Sequence, residues 1–146
     1  MAYKGIFKPF NPKKYKGNPT NIIYRSRWEL ILMQKFDQHP DIVEWQSEEM
    51  FVSYRSPLDR KIHRYFPDFI IKKKNKDGTF ETTMIEVKPF GQTQQPTLQE
   101  KVTRKYLKEV QTYAINTAKW KAAEAYCKER GYKFIIITER ELELKF

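Results

Sequence analysis

Residues 65–71 read Tyr65-Phe66-Pro67-Asp68-Phe69-Ile70-Ile71, and residues 84–89 read Met84-Ile85-Glu86-Val87-Lys88-Pro89. Both runs are short, apolar and β-prone, and each carries a carboxylate where a buried strand would ordinarily have none. Between them, Lys72-Lys73-Lys74-Asn75-Lys76-Asp77-Gly78 is polar and ends in Asp-Gly, a strong hairpin signal. A three-residue loop of Lys76, Asp77 and Gly78 sets Asp68 directly opposite Glu86, with Cβ atoms roughly 5 Å apart. Like charges that face each other in an apolar sheet repel unless a cation sits between them. Lys88, two residues beyond Glu86, points to the same face because strand side chains alternate. An Asp, a Glu and a Lys are therefore expected to converge on one spot.

Composition sets the frame for that spot. The 146 residues suit one domain with a real core, and 40% hydrophobic residues with 15% aromatics exclude a disordered chain. No apolar run approaches the roughly 20 residues of a membrane span, and no signal-peptide pattern opens the chain, so no membrane partner is expected. Cys127 is the single cysteine, and His39 and His63 are the two histidines. That excludes an internal disulfide and disfavours a zinc site of sulfur and imidazole ligands. A metal here would be a hard cation held by oxygens.

The net charge is +10, and it is uneven. Lys4, Lys8, Lys13, Lys14, Lys16, Arg25 and Arg27 all precede the first acidic residue, Glu29. Such an excess favours a polyanion, of which nucleic acid is the usual one, over a merely solvated surface or an acidic protein. Residues 1–20 combine Pro9, Pro12 and Pro19 with Gly5 and Gly17, which predicts an extended basic arm. Its Tyr3, Phe7, Phe10 and Tyr15 are suited to packing it on the body or on a partner. A second unit, 21–146, then carries the domain.

Ser26-Arg27-Trp28-Glu29 has capping-box spacing and predicts a helix over 27–38, stopped by Pro40. Glu29 has two readings there: a cap that reaches back to the Ser26 amide, or a third carboxylate of the site. Short strands are expected at 42–48 and 50–54. Thr97-Leu98-Gln99-Glu100 is a second capping box, and Asn116 or Thr117 a third cap, so two helices are expected before Gly131. Lys101, Arg104, Lys105 and Lys108 share a face of the first of these, a solvated stripe or a phosphate track. Phe134 to Ile137 is a last buried strand. Helix, antiparallel strands, two helices and a strand describe an α/β fold around a mixed sheet.

Two carboxylates and a lysine suit phosphodiester hydrolysis. Mg²⁺, with Mn²⁺ as the alternative, takes one or two carboxylates together with waters and phosphate oxygens. Lys88 would orient or deprotonate a water, or stabilise the phosphate at the transition state.

Pro67-Asp68 followed by Glu86-Val87-Lys88, with a helical Glu29 upstream, resembles the PD-(D/E)xK nuclease superfamily. One branch is closer. Tyr24-Arg25-Ser26-Arg27-Trp28-Glu29, Arg64-Tyr65-Phe66 and Asn116-Thr117-Ala118-Lys119-Trp120-Lys121-Ala122-Ala123 resemble the head completion nucleases of T4-like tailed phages. The resemblance implies a restriction-endonuclease-like fold, similar to the endonuclease subunit of Tn7-type transposases. It implies that Asp68 and Glu86 bind metal, that Lys88 is catalytic, and that Glu29 is a fourth member of the site. It also implies a setting in which DNA is the substrate; from their charge and position, Lys13, Lys14, Lys16, Arg25, Arg27, Lys101, Arg104 and Lys105 are the residues expected to bind it. Head, portal or neck proteins would be partners, in the host cytoplasm during assembly or at the vertex of the virion.

Three functions compete on this reading. The first is an active metal-dependent endonuclease that processes packaged DNA, and the second a catalytically silent docking protein at the head vertex. The third is a transposon-encoded nuclease that cleaves element ends. Two opposed carboxylates and Lys88, all intact, favour the first.

Overall fold

The computed structural model describes residues 3–142, so the last four residues of the expected 21–146 domain lie outside it. In chain order the elements are β1 (Gly5–Phe7), β2 (Ile22–Tyr24), α1 (Arg27–Gln38), β3 (Ile42–Gln46), β4 (Val52–Arg55), β5 (Ile62–Tyr65), β6 (Phe69–Lys74), β7 (Phe80–Val87), α2 (Arg104–Arg130) and β8 (Lys133–Ile137). Single 3₁₀ turns cover Pro12–Lys14 and Phe90–Thr93.

β3, β6, β7 and β8 form one sheet in that order, antiparallel except for the parallel β7–β8 pair. The β6–β7 hairpin has the expected register: Phe69 pairs with Ile85, Ile71 with Thr83, and Asn75 and Thr79 close the loop. Gly78 turns at φ 88°, where a side chain would be strained, and the Asp77 carboxylate accepts from the Thr79 amide at 3.0 Å. Alternation gives the sheet two apolar faces. Phe69, Ile71 and Ile85 pack with Leu32, Met33 and Phe36 of α1, whereas Ile70 and Met84 pack with Trp120, Ala123 and Cys127 of α2. The chain is thus α/β, with a mixed sheet between helices.

α1 is as expected. Ser26 caps it by accepting from the Glu29 amide at 3.1 Å, and it ends before Pro40. α2 differs from expectation, since one helix of 27 residues replaces two. Nothing between Tyr113 and Thr117 breaks a helix, and the Thr117 hydroxyl donates to the Tyr113 carbonyl at 2.8 Å instead of capping a new one. Asn116 is buried. Thr103 rather than Thr97 is the N-cap, accepting from the Tyr106 amide at 3.1 Å. Gly131, at φ 71°, ends the helix in the left-handed conformation, as expected.

The strands also subdivide more finely than the sequence suggests. The run 65–71 is not continuous: β5 ends at Tyr65 and β6 begins at Phe69, because Pro67 has no N–H for a ladder. β4 and β5 form a separate two-stranded ribbon, packed through Val52, Tyr54 and Tyr65 against α2.

The basic N-terminal stretch is extended only in part. β1 pairs with β2, and Phe7 and Tyr15 are buried in the same core as α1, their rings 5.9 and 4.7 Å from that of Trp45. Asp37 clamps the stretch, its fully buried carboxylate accepting from the Phe10 and Asn11 amides at 2.8 and 2.9 Å. Tyr3 leans on Tyr24, while Phe10 is exposed. Among the described residues no helix is long and apolar enough to cross a membrane.

Candidate active site

The break at Pro67 sets Asp68 just before β6, one step past the Phe69–Ile85 pair and therefore opposite Glu86. Its Oδ2 accepts from the Val87 amide at 2.7 Å, which fixes the carboxylate at the head of the hairpin. Glu86 is only 5% exposed and accepts from the Trp120 indole N–H at 3.2 Å. The Tyr65 hydroxyl is buried beside both carboxylates, and no hydrogen bond of good geometry satisfies it. Burial, followed by the two carboxylates, pushes that phenol well above its ordinary range.

The same forces act within the pair. Asp68 is raised far above the usual carboxylate range, first by burial and then by Glu86. Like charges brought this close repel, and a cation between them would relieve that repulsion. Lys88 is half-buried and continues the ladder, its amide donating to the Ile137 carbonyl at 3.0 Å, so its side chain falls on the face of Glu86. It takes part in none of the ion pairs among the described residues.

Glu29 is placed differently. It projects from the first turn of α1, the helix on the other face of the sheet, with its carboxylate 3.2 Å from the Ser26 hydroxyl. Burial raises it as well, against the hydrogen bond from Ser26. Its charge is felt at Asp68, yet among the described residues no three His, Cys, Asp or Glu side chains gather closely enough to share one ion. The structure brings together the pair, sets Lys88 on the same face by alternation, and leaves Glu29 at the margin.

A donor set of two carboxylates and no sulfur or imidazole fits a hard divalent cation. Mg²⁺ is commonly held by one or two carboxylates, the remainder of its shell being water and substrate oxygens. The opposed carboxylates of Asp68 and Glu86, beside the unsatisfied Tyr65 hydroxyl, present that donor set at one spot.

The basic residues divide into several groups. Lys14 is not available to a polyanion: its ammonium donates to the Asp37 and His39 carbonyls at 2.9 and 2.8 Å, capping the end of α1. Desolvation there lowers its pKa. Arg25 pairs with Glu48. Lys13 and Arg27 are exposed, and Lys16 lines a cleft it shares with Glu44, Glu49 and Lys72. Lys101, Arg104 and Lys105 are exposed around the start of α2. Lys105 and Lys108 border a cleft of about 500 Å³ whose wall includes Asn116, one helical turn before Trp120.

Sequence reasoning did not single out Trp120 and Tyr65 for the site. Each lies in a segment that carries the family resemblance, but an indole or phenol meeting a carboxylate across the core leaves no local pattern.

The fold is that of a restriction-endonuclease-like domain. A family model for the TnsA-like endonuclease N terminal matches residues 39–139, a span that holds Asp68, Glu86, Lys88 and Trp120 and leaves Glu29 outside. The chain belongs to the TnsA-like endonucleases. It is 38% identical over 143 residues to the Head completion nuclease of Enterobacteria phage T4, across 95% of this chain and 93% of that protein.

Proposed function

We propose that this chain is a metal-dependent DNA endonuclease of phage head completion, processing packaged DNA before the head is joined to a tail. The observation that carries the reading is the opposed pair at one end of the sheet, a half-buried Asp68 facing a buried Glu86, with Lys88 on the same face. Asp68 and Glu86 would hold Mg²⁺ or Mn²⁺, and Glu29 stands near enough to act through its charge or through a water. A divalent cation supplies two things here: a water of lowered pKa and neutralisation of the charge that builds on the phosphate.

The chain's own residues do the positioning. The Val87 amide and the Trp120 indole hold the two carboxylates, so neither needs to reorganise when substrate arrives. Lys88 offers an ammonium to a phosphate oxygen or to the attacking water. Lys101, Arg104 and Lys105 supply phosphate contacts that orient DNA without reading its sequence.

The test is cleavage of linear duplex and single-stranded DNA with Mg²⁺, Mn²⁺ or chelator, comparing the natural protein with Asp68→Ala and Lys88→Ala. Metal-dependent cutting that is lost in both variants while they remain folded establishes the activity and its site. A natural protein that never cuts, together with an Asp68→Ala variant that still completes infectious heads, would make the fold a docking module instead.

A further inference from the structure

The ribbon of β4 and β5 has a second face. Val52, Tyr54 and Tyr65 point inward to α2, so Phe51, Ser53, Arg64 and Phe66 point outward by alternation. The register pairs Val52 with Tyr65, and one step further Phe51 lies opposite Phe66. Their rings are 5.8 Å apart at an interplanar angle of 54°, and the side chains are 42% and 43% exposed. The Arg64 guanidinium sits over Phe51, 4.7 Å from the ring centroid. Only Pro67 separates Phe66 from Asp68, and two extended residues span at most about 7 Å.

Single exposed aromatics are ordinary on protein surfaces. A pair of rings carrying a guanidinium, two residues from a catalytic carboxylate, is a different arrangement. Aromatic faces and arginine planes are the groups on which unstacked bases lie in proteins that bind single strands. Bases inside a duplex have both faces covered by neighbours and cannot use such a surface unless extruded. The charge agrees: the chain carries +10, and Arg64 adds a cation where a phosphate would follow a stacked base.

We propose that Phe51, Phe66 and Arg64 form a stacking platform for an unpaired base beside the scissile phosphate. The preferred substrate is then DNA with a single-stranded segment, such as an overhang or flap. This rests on the nuclease reading and narrows its substrate.

The experiment measures binding by fluorescence anisotropy in chelator, where no cutting occurs, with labelled oligothymidine and a blunt hairpin duplex as probes. The natural protein is compared with Phe51→Leu/Phe66→Leu, which keeps both side chains apolar and removes the rings. Phe80→Leu, an exposed aromatic at the opposite end of β7, is the control. The expected result is tighter binding of oligothymidine than of duplex, and a loss of about tenfold or more on oligothymidine in the double variant. Duplex binding and the Phe80→Leu control stay level.

An unchanged affinity for oligothymidine in the double variant overturns the platform, as does an equal loss on both probes. A double variant with full DNA affinity that fails to complete heads assigns the patch to a protein partner instead. Metal-dependent cleavage assayed in parallel separates the two ideas. If cleavage persists while the rings prove irrelevant, the nuclease stands and the platform falls. If no DNA is bound or cut by the natural protein, both fall.

Discussion

Trp120 donates its indole N–H to Glu86 at 3.2 Å, so the long second helix and the central sheet are joined at a carboxylate of the candidate active site. The bond fixes one oxygen of Glu86 in a setting where the group is almost wholly desolvated.

Trp120→Phe keeps an aromatic ring there and removes the donor. Cleavage is expected to fall about tenfold, and stability by roughly 1–3 kcal/mol, the cost of stranding a buried acceptor. Cleavage rates and thermal melts check this together. Unchanged cleavage would mean that the strand alone positions Glu86.

Asp68→Asn is expected to abolish cutting yet stabilise the metal-free protein. Burial and Glu86 raise the folded pKa of Asp68 above its unfolded value of about 3.9. Its contribution to stability is therefore complete below about pH 4 and declines as pH rises through the raised folded pKa. In chelator near neutral pH the variant should melt higher by roughly 3 °C, on the order of 1 kcal/mol, with a flatter pH dependence. Adding Mg²⁺ should raise the melting temperature of the natural protein alone. A variant that melts lower in chelator at every pH would show that the pair is not repulsive.

Asp37→Ala removes the acceptor for the Phe10 and Asn11 amides. A loss of about 3 kcal/mol is expected, within the usual range for stranding buried partners of a charged group. Limited proteolysis should then cut within the first twenty residues before it reaches the sheet. Resistance equal to the natural protein would show that the aromatic packing of Phe7 and Tyr15 suffices.

Basic residues of equal formal charge should behave differently. Replacing Lys101, Arg104 and Lys105 by Ala is expected to weaken DNA binding and to reduce the salt slope by roughly 0.9 for each duplex phosphate that is no longer neutralised. Lys14→Ala should leave that slope unchanged and lower the melting temperature, because its ammonium caps α1. A change in slope with Lys14→Ala would place that residue on the DNA after all.

How much of the fold and site was legible in the sequence follows from the range of each interaction. The hairpin register could be read because Asp77-Gly78 fixes the turn and period 2 does the rest. The start of α1 could be read because Ser26 and Glu29 cap within one turn. The merging of two expected helices into α2 could not, because Asn116 and Thr117 are cap residues only when the chain stops there. Here the Tyr113 carbonyl and the core absorb them.

By itself the sequence determined the alternation that sets Asp68 opposite Glu86, with Lys88 on the same face. Turn chemistry and strand period act over a few residues and need no other part of the chain. The tertiary structure alone decided that Trp120 and Tyr65 enclose the pair, that Glu29 stays at its margin, and that Lys14 serves a helix end. These outcomes depend on which surfaces meet after the chain has folded. A residue's charge or aromaticity gives the strength of such an interaction but not its partner.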